Sequence, residues 1–287
     1  EPLTAITNTK ILLGNLPYLR DQSTSNHTIT VGGNTSLEPR SVFDNAAYSE
    51  ASHGASAYFD GTNDHISAAN HADFNVGSSD FTLECWAYIE STTSNGGICG
   101  LYNTSTNQRS YIIHQTDTSN HFGVAMSSNG TFESGSGIDS NVDIIEYLNQ
   151  WVHLALTKSG TNATLYLNGN SIGTTSSAPS TLHASTGEFV VGKLNGANVH
   201  TTGYVSDVRL VNGTAVYTSN FTPPTVPLTA ITNTKFLLNP ETSISDLSQK
   251  HALTCYGNVA TDATTVKFAG TKSIAFNGTG DYLIFSN

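Results

Sequence analysis

Charge is scarce in this sequence, and cationic charge scarcest. Asp, Glu, Lys and Arg together make up 11% of the 287 residues, against roughly 25% in an ordinary globular protein. Only 11 are Lys or Arg, against 22 Asp and Glu, for a formal net charge of −11. No three basic residues cluster. A nucleic-acid binder needs cations to neutralise phosphates, so that class is excluded, and an anionic membrane surface is disfavoured for the same reason. No apolar run approaches the roughly 20 residues that cross a bilayer, so no membrane insertion is expected. No secretory leader is recognisable. Cysteine is nearly absent as well. Cys85, Cys99 and Cys255 make an odd count with no metal-type spacing, so no disulfide framework is indicated. Cys85, within FTLECWAYIE, reads as a buried free thiol. Ser, Thr, Asn and Gly fill the space that charge leaves. They suit turns and exposed strand faces and disfavour long helices. The bulk reading is a β-rich, secreted-type or particle-borne protein.

What the sequence does have is an internal repeat. LTAITNTK runs from Leu3 to Lys10 and again from Leu228 to Lys235. KILL at 10–13 matches KFLL at 235–238. DQSTSNHTITVGGN (Asp21–Asn34) matches DLSQKHALTCYGN (Asp246–Asn258) with one residue deleted. AYFDGTNDHI (Ala57–Ile66) matches IAFNGTGDYL (Ile274–Leu283). Four colinear blocks exclude chance. The expected organisation is one module over residues 1–227 and the opening strands of an incomplete second copy over 228–287. FTPPTVP (Phe221–Pro227) is the expected linker, because its three prolines interrupt strand ladders. The sequence begins at Glu1, not methionine, and reads as an excerpt of a longer array.

Within the first module the chain predicts many short strands and almost no helix. In FTLECWAYIE, Phe81, Leu83, Cys85, Ala87 and Ile89 alternate with Thr82, Glu84, Trp86 and Tyr88. In WVHLALTKSG, Val152, Leu154 and Leu156 alternate with Trp151, His153, Ala155 and Thr157. One face of each strand is core, as a two-sheet sandwich requires. Asn168-Gly169 supplies the positive-φ pair of a type I′ hairpin turn. One helical candidate remains, Val142–Gln150.

The ordered set AYFDGTNDHI, DFTLECWAYI, QWVHLALTKSG, TLYLNGNSIGT and GYVSDVRLVNGTAVYTSNFTPP resembles the laminin-G-like, concanavalin-A-type jelly-roll superfamily. The resemblance runs from about Lys10 to Pro224. It is nearest to lectin-like modules of phage and marine bacterial surface proteins. It implies an all-β fold: a two-sheet antiparallel jelly-roll sandwich. Such modules often carry calcium near a loop edge. Asp60 and Asp64 in FDGTND, with Asp207 in GYVSDVRL, resemble those acidic positions, and carboxylates with loop carbonyls suit a hard cation. The competing reading makes Asp60 and Asp64 turn formers. The superfamily also implies glycan contact, for which Trp86, Tyr102, Tyr111 and His114 are the candidate side chains.

Glycan cleavage makes a different demand on the sequence. A retaining glycosidase needs two carboxylates about 5 Å apart. Glu84 and Glu90 lie on one strand, roughly 20 Å apart at strand rise. Glu84 therefore reads as a hydrogen-bonded or ion-paired acid. No Gly-x-Ser-x-Gly elbow and no helical His-x-x-x-His pair is present. The expectation is a non-catalytic surface or virion protein, a fibre, decoration or adhesin, located extracellularly or on a virion surface. Its expected partners are a cell-surface glycan or receptor and further copies of the module. The alternatives are a glycan-degrading enzyme of the same fold or an architectural filament subunit.

Overall fold

The computed structural model describes residues 56–62, 64–117, 119–197 and 199–238, with side chains from residue 58, together with the backbone of six short flanking strands. Lys10–Asn15, whose sequence also reads as a strand, and the side chains of Cys255 and of His27 and His251, which occupy matching repeat positions, lie outside the described residues.

Two antiparallel sheets face each other. The first runs Ile29–Gly32, Tyr282–Phe285, Leu253–Tyr256, His65–Ala68, Phe189–Val191, Gly97–Asn103, Gln108–Gln115, His121–Gly130 and Ile138–Asp143. The second runs Asn170–Thr175, Asn162–Leu167, Trp151–Ser159, Phe81–Ser91, Thr202–Asn212, Ser56–Asp60, Thr261–Asp262, Lys272–Ile274 and Leu37–Pro39. Thr234–Leu238 also pairs with Thr202–Asn212. Helix among the described residues is confined to two single turns, Ala72–Phe74 and Ile144–Tyr147. The expected helix at Val142–Gln150 shrinks to the second of these. Asp143 starts it by accepting the Ile145 N–H at 2.9 Å, and Leu148 has already left helical geometry.

The alternation read from sequence is the alternation observed. Phe81, Leu83, Cys85, Ala87 and Ile89 all enter the core, as do Val152, Leu154 and Leu156. The two strands pair with Leu154 opposite Cys85 and Leu156 opposite Leu83, so their apolar faces coincide. Leu101, Tyr111, Ile113, Phe122, Val124 and Met126 supply the opposite sheet's inner face. Full burial of each such side chain contributes roughly 1.5–3 kcal/mol, which makes this single core the main source of stability. Cys85 and Cys99 meet across it with sulfurs 3.8 Å apart, both free. The Cys99 contact, together with burial, raises the Cys85 thiol well above its ordinary pKa.

Around Glu84 and His153, the outer face of the second sheet is covered by the chain that follows Asn212. Tyr217 and Phe221 stack with centroids 3.6 Å apart, and Phe221 meets the His153 and Tyr166 rings edge-on. Beneath them lies Glu84, fully buried. It accepts from Arg209 Nε at 2.8 Å and from the Tyr217 hydroxyl at 2.8 Å, and it lies 3.1 Å from His153 Nε2. Burial alone would raise its pKa. The His153 hydrogen bond, the Arg209 charge and the Tyr217 hydroxyl outweigh that and hold the carboxyl below its ordinary value. Glu84 is the ion-paired acid that its isolation from Glu90 implied.

The expected break at residue 228 is corrected by the strand pairing. Phe236 and Leu238 lie in the same core cluster as Phe74 and Phe189. Thr234–Leu238 extends alongside Thr202–Asn212, with Leu210 opposite Phe236 and Val208 opposite Leu238. The opening of the second copy is thus part of the first copy's sandwich. The physical reason is that an apolar strand such as KFLL finds its second sheet in the copy before it.

Candidate functional site

The outer face of the first sheet is covered in part by Leu194 and Val199, and strand parity decides what it displays. On Gln108–Gln115, Tyr111 and Ile113 point into the core. Ser110, Ile112 and His114 therefore take the outer side. Tyr102, Ile112 and Leu194 form a small cluster of their own there, separate from the main core, with Ala125 and Val199 against it.

Beside this cluster lies a cleft of about 410 Å³. Tyr102 and His114 line it, with Asn95, Asp117, Glu133 and Asp139 as its polar groups and Phe132 at its rim. Phe132 is 73% exposed, more than any other large apolar side chain among the described residues. Its loop is nonetheless fixed. Ser127 Oγ donates to the Thr131 carbonyl at 2.7 Å. Asn129 Oδ1 accepts from the Thr131 N–H and hydroxyl. Ser136 Oγ donates to the Glu133 carbonyl at 2.8 Å. Glu133 itself accepts from the Ser128 N–H at 2.9 Å and from the Ser128 hydroxyl. A second hollow, lined largely by Ser128, Ser134, Ser177 and Ser180, shares Glu133 and continues the groove.

The electrostatics are those of a hydrogen-bonding surface. Burial holds His114 below the ordinary imidazole pKa. Its Nδ1 sits 2.8 Å from the Gln115 carbonyl; as a donor there, it leaves Nε2 an acceptor on the neutral ring. Gly123 faces it, and a Cβ at that position would lie 2.6 Å from the Thr116 methyl and 3.5 Å from His114 Nε2. Burial raises the Tyr102 phenol, partly offset by Arg109, whose guanidinium lies 5.9 Å from the ring centroid.

Of the four side chains expected to touch ligand, the structure unites Tyr102 and His114. Tyr111 is a core residue, its hydroxyl donating to the Phe74 carbonyl at 2.8 Å. Trp86 lies on the other sheet, buried against His153. The three acids expected to hold calcium do not converge. Asp60 and Asp64 form a turn, in which Asp64 accepts the Asp60 N–H at 3.0 Å and Asp60 accepts the Thr62 N–H at 2.8 Å. Asp207 sits five positions along its strand from Thr202, the partner of Asp60, or roughly 16 Å at strand rise. Its carboxylate accepts the Leu228 N–H at 2.6 Å and the Ser206 hydroxyl at 2.7 Å. Among the described residues, no three His, Cys, Asp or Glu side chains are grouped to hold a metal ion. Sequence reasoning missed Phe132, Glu133 and Asp139. The one available signal was an aromatic ring in the turn-rich stretch SSNGTFESGSG.

A family model described as the concanavalin A-like lectin/glucanases superfamily matches residues 60–223. The chain belongs to that superfamily. A solved candidate carbohydrate-binding protein from Bacteroides ovatus ATCC 8483 is similar to this lectin-like domain with a TM-score of 0.54 and 17% identity, over 77% of this chain and 62% of its own. This chain thus spans less than two thirds of that relative. A heptameric SAP-like pentraxin from Limulus polyphemus aligns over 60% of this chain and 80% of its own, at 19% identity and a TM-score of 0.44. The ligand-binding domain of botulinum neurotoxin serotype D, solved with N-acetylneuraminic acid, aligns over 69% of this chain and 45% of its own, at 13% identity and a TM-score of 0.43. No curated protein sequence matches the chain.

Proposed function

We propose that this lectin-like domain is a non-catalytic glycan-binding module of an extracellular or virion-surface protein, and that the cleft beside Phe132 is its sugar site. One observation carries the reading: an exposed aromatic ring, held by a hydrogen-bonded loop, borders a cleft lined by carboxylates, an amide and an imidazole acceptor. A pyranose presents an apolar C–H face and a ring of hydroxyls. Phe132 offers the stacking surface, and Asn95, Glu133, Asp139 and His114 offer hydroxyl partners. The superfamily also contains glucanases, so catalysis is the competing class. Glu84 does not support it: the carboxyl is ionised, sealed under Tyr217 and fully engaged. The test is a glycan array followed by titration of the best binder. Phe132→Ala is expected to weaken that binder at least about tenfold, equivalent to ~1.4 kcal/mol, without lowering the melting temperature. Unchanged affinity would remove Phe132 from the site. Release of reducing ends from a panel of algal and bacterial polysaccharides would overturn the non-catalytic assignment.

A further inference from the structure

The repeated octapeptide has a structural explanation in its second copy. Leu228 is buried, and its N–H goes to Asp207. The Thr229 carbonyl accepts from Arg209 Nη1 at 2.8 Å. Thr234 Oγ1 accepts the Ile231 N–H, and the Thr234 N–H returns to the Ile231 carbonyl. Asn233 takes a φ of 69°, a conformation Asn tolerates better than most residues. Its carbonyl accepts from Asn212 and its amide donates to Thr214. Lys235 pairs with Asp73 at 3.4 Å. Every one of these side chains recurs in Leu3–Lys10, and the strand that follows differs only in Ile11 for Phe236. LTAITNTK therefore encodes the means of seating on the Thr202–Asn212 strand.

The strands further along follow the same rule. By the repeat alignment, Ile29–Gly32 corresponds to Leu253–Tyr256, and His65–Ala68 to Tyr282–Phe285. In the structure the pairings are crossed: Leu253 opposes Ala68 and Tyr256 opposes His65, while Ile29 opposes Phe285 and Gly32 opposes Tyr282. The register is identical in both. Likewise Leu37 opposes Ile274 and Thr261 opposes Ala57. Each copy's opening block closes the other copy's sheets, residue for residue.

We infer that the opening block is an exchangeable closing element, and that residues 3–39 of one molecule seat on the 56–212 sandwich of a second copy of this chain, in the place that 228–262 otherwise fills. The partner is another copy because the seat reads a sequence that the chain itself carries twice. Such a contact is heterologous, joining the front of one chain to the body of the next, and it propagates head to tail unless it closes into a ring. Any glycan sites would then be presented in a row, although the inference does not depend on the sugar reading.

The test places the photo-crosslinker benzoylphenylalanine at position 11 of the full chain, where the equivalent Phe236 ring lies 5.8 Å from Phe74 and 5.0 Å from Phe189. Equal amounts of isotopically heavy and light chain are mixed, irradiated over a concentration series, and analysed by mass spectrometry. Crosslinks from position 11 to the 72–76 or 189–191 peptides are expected. Heavy–light pairs should appear among them, growing with concentration and at least doubling when Phe236→Asp weakens the resident strand. Crosslinks confined to other peptides, or found only within single chains, would overturn the inference. If Phe236→Asp does not fold, the concentration series on the chain without it decides the matter by the same criteria.

Discussion

Glu84 shows how far a single residue could be understood before the fold was known. Its place on the outer face of FTLECWAYIE follows from parity alone, and so does its distance from Glu90. His153 could be placed beside it once the two alternating strands were paired. Arg209 and Tyr217 could not, because only the closed sheet brings them over Glu84 from more than 120 residues away. Removing one member of a buried ion pair leaves uncompensated charge, so Glu84→Ala is expected to cost roughly 3–5 kcal/mol in denaturant unfolding. A pKa held below its ordinary value of 4.5 gives stability that is complete above pH 4.5. That stability is lost as pH falls through the folded pKa. His200 acts in a different window. Burial first, and then the Lys193 charge, lower it from 6.5 to about 4, so the unfolded chain takes up the proton before the folded one. Its contribution is complete above pH 6.5 and declines as pH falls towards 4. Melting temperatures measured across that interval should fall less steeply for His200→Gln than for the unaltered protein, and an equal slope would remove His200 as the cause. The tyrosines expected to touch ligand mark the limit at this scale. YIIHQ has apolar residues at both parities, so nothing local distinguishes Tyr111, which is core, from an outward ring.

At the scale of elements, turn chemistry was legible where glycine or asparagine dictated it. Asn168 and Gly169 have φ of 48° and 77°, the pair that a type I′ turn requires. The structure adds a second demand on the same residue. A Cβ on Gly169 would fall 1.8 Å from the Phe221 carbonyl oxygen, because the Phe221 N–H donates to the Gly169 carbonyl at 2.9 Å. The hairpin thus holds the segment that covers Glu84. Gly169→Ala combines left-handed strain with displacement of that cover, and is expected to cost about 2–4 kcal/mol. A loss below about 1 kcal/mol in urea unfolding would show that Phe221 moves freely. Asp207 was illegible for the opposite reason. It is a left-handed residue, φ 52°, where the Thr202–Asn212 strand shifts register against Phe81–Ser91, and a bulge of this kind interrupts the pattern that parity reads. An acid inside VSDVRL resembled a metal ligand, yet it receives the Leu228 N–H.

For the whole molecule, the sandwich and its core followed from alternation, and the repeat from colinearity. The boundary did not, since a repeat reveals its period and not its phase. The same period fits modules cut at 228 or modules that borrow their closing strands from the next copy, and only the pairing of Thr234–Leu238 distinguishes them. That phase has a consequence for how the protein is made. Synthesis delivers residues in order, and domains generally begin to fold as they emerge. Here the core lacks Phe236 and Leu238, and Ser67 lacks its partner Thr254, until the following copy has begun to appear. Contacts so distant in sequence slow folding, and an unclosed sheet edge is exposed to neighbouring chains meanwhile. Ribosome-bound chains that have emerged only to Pro227 are expected to be cut readily by protease, and those that have emerged to Asp262 to resist. Resistance already complete at Pro227 would mean that the first copy had closed with its own opening block, and that the later one displaces it. In a chain built this way, the sandwich can close only after the repeated segment has emerged.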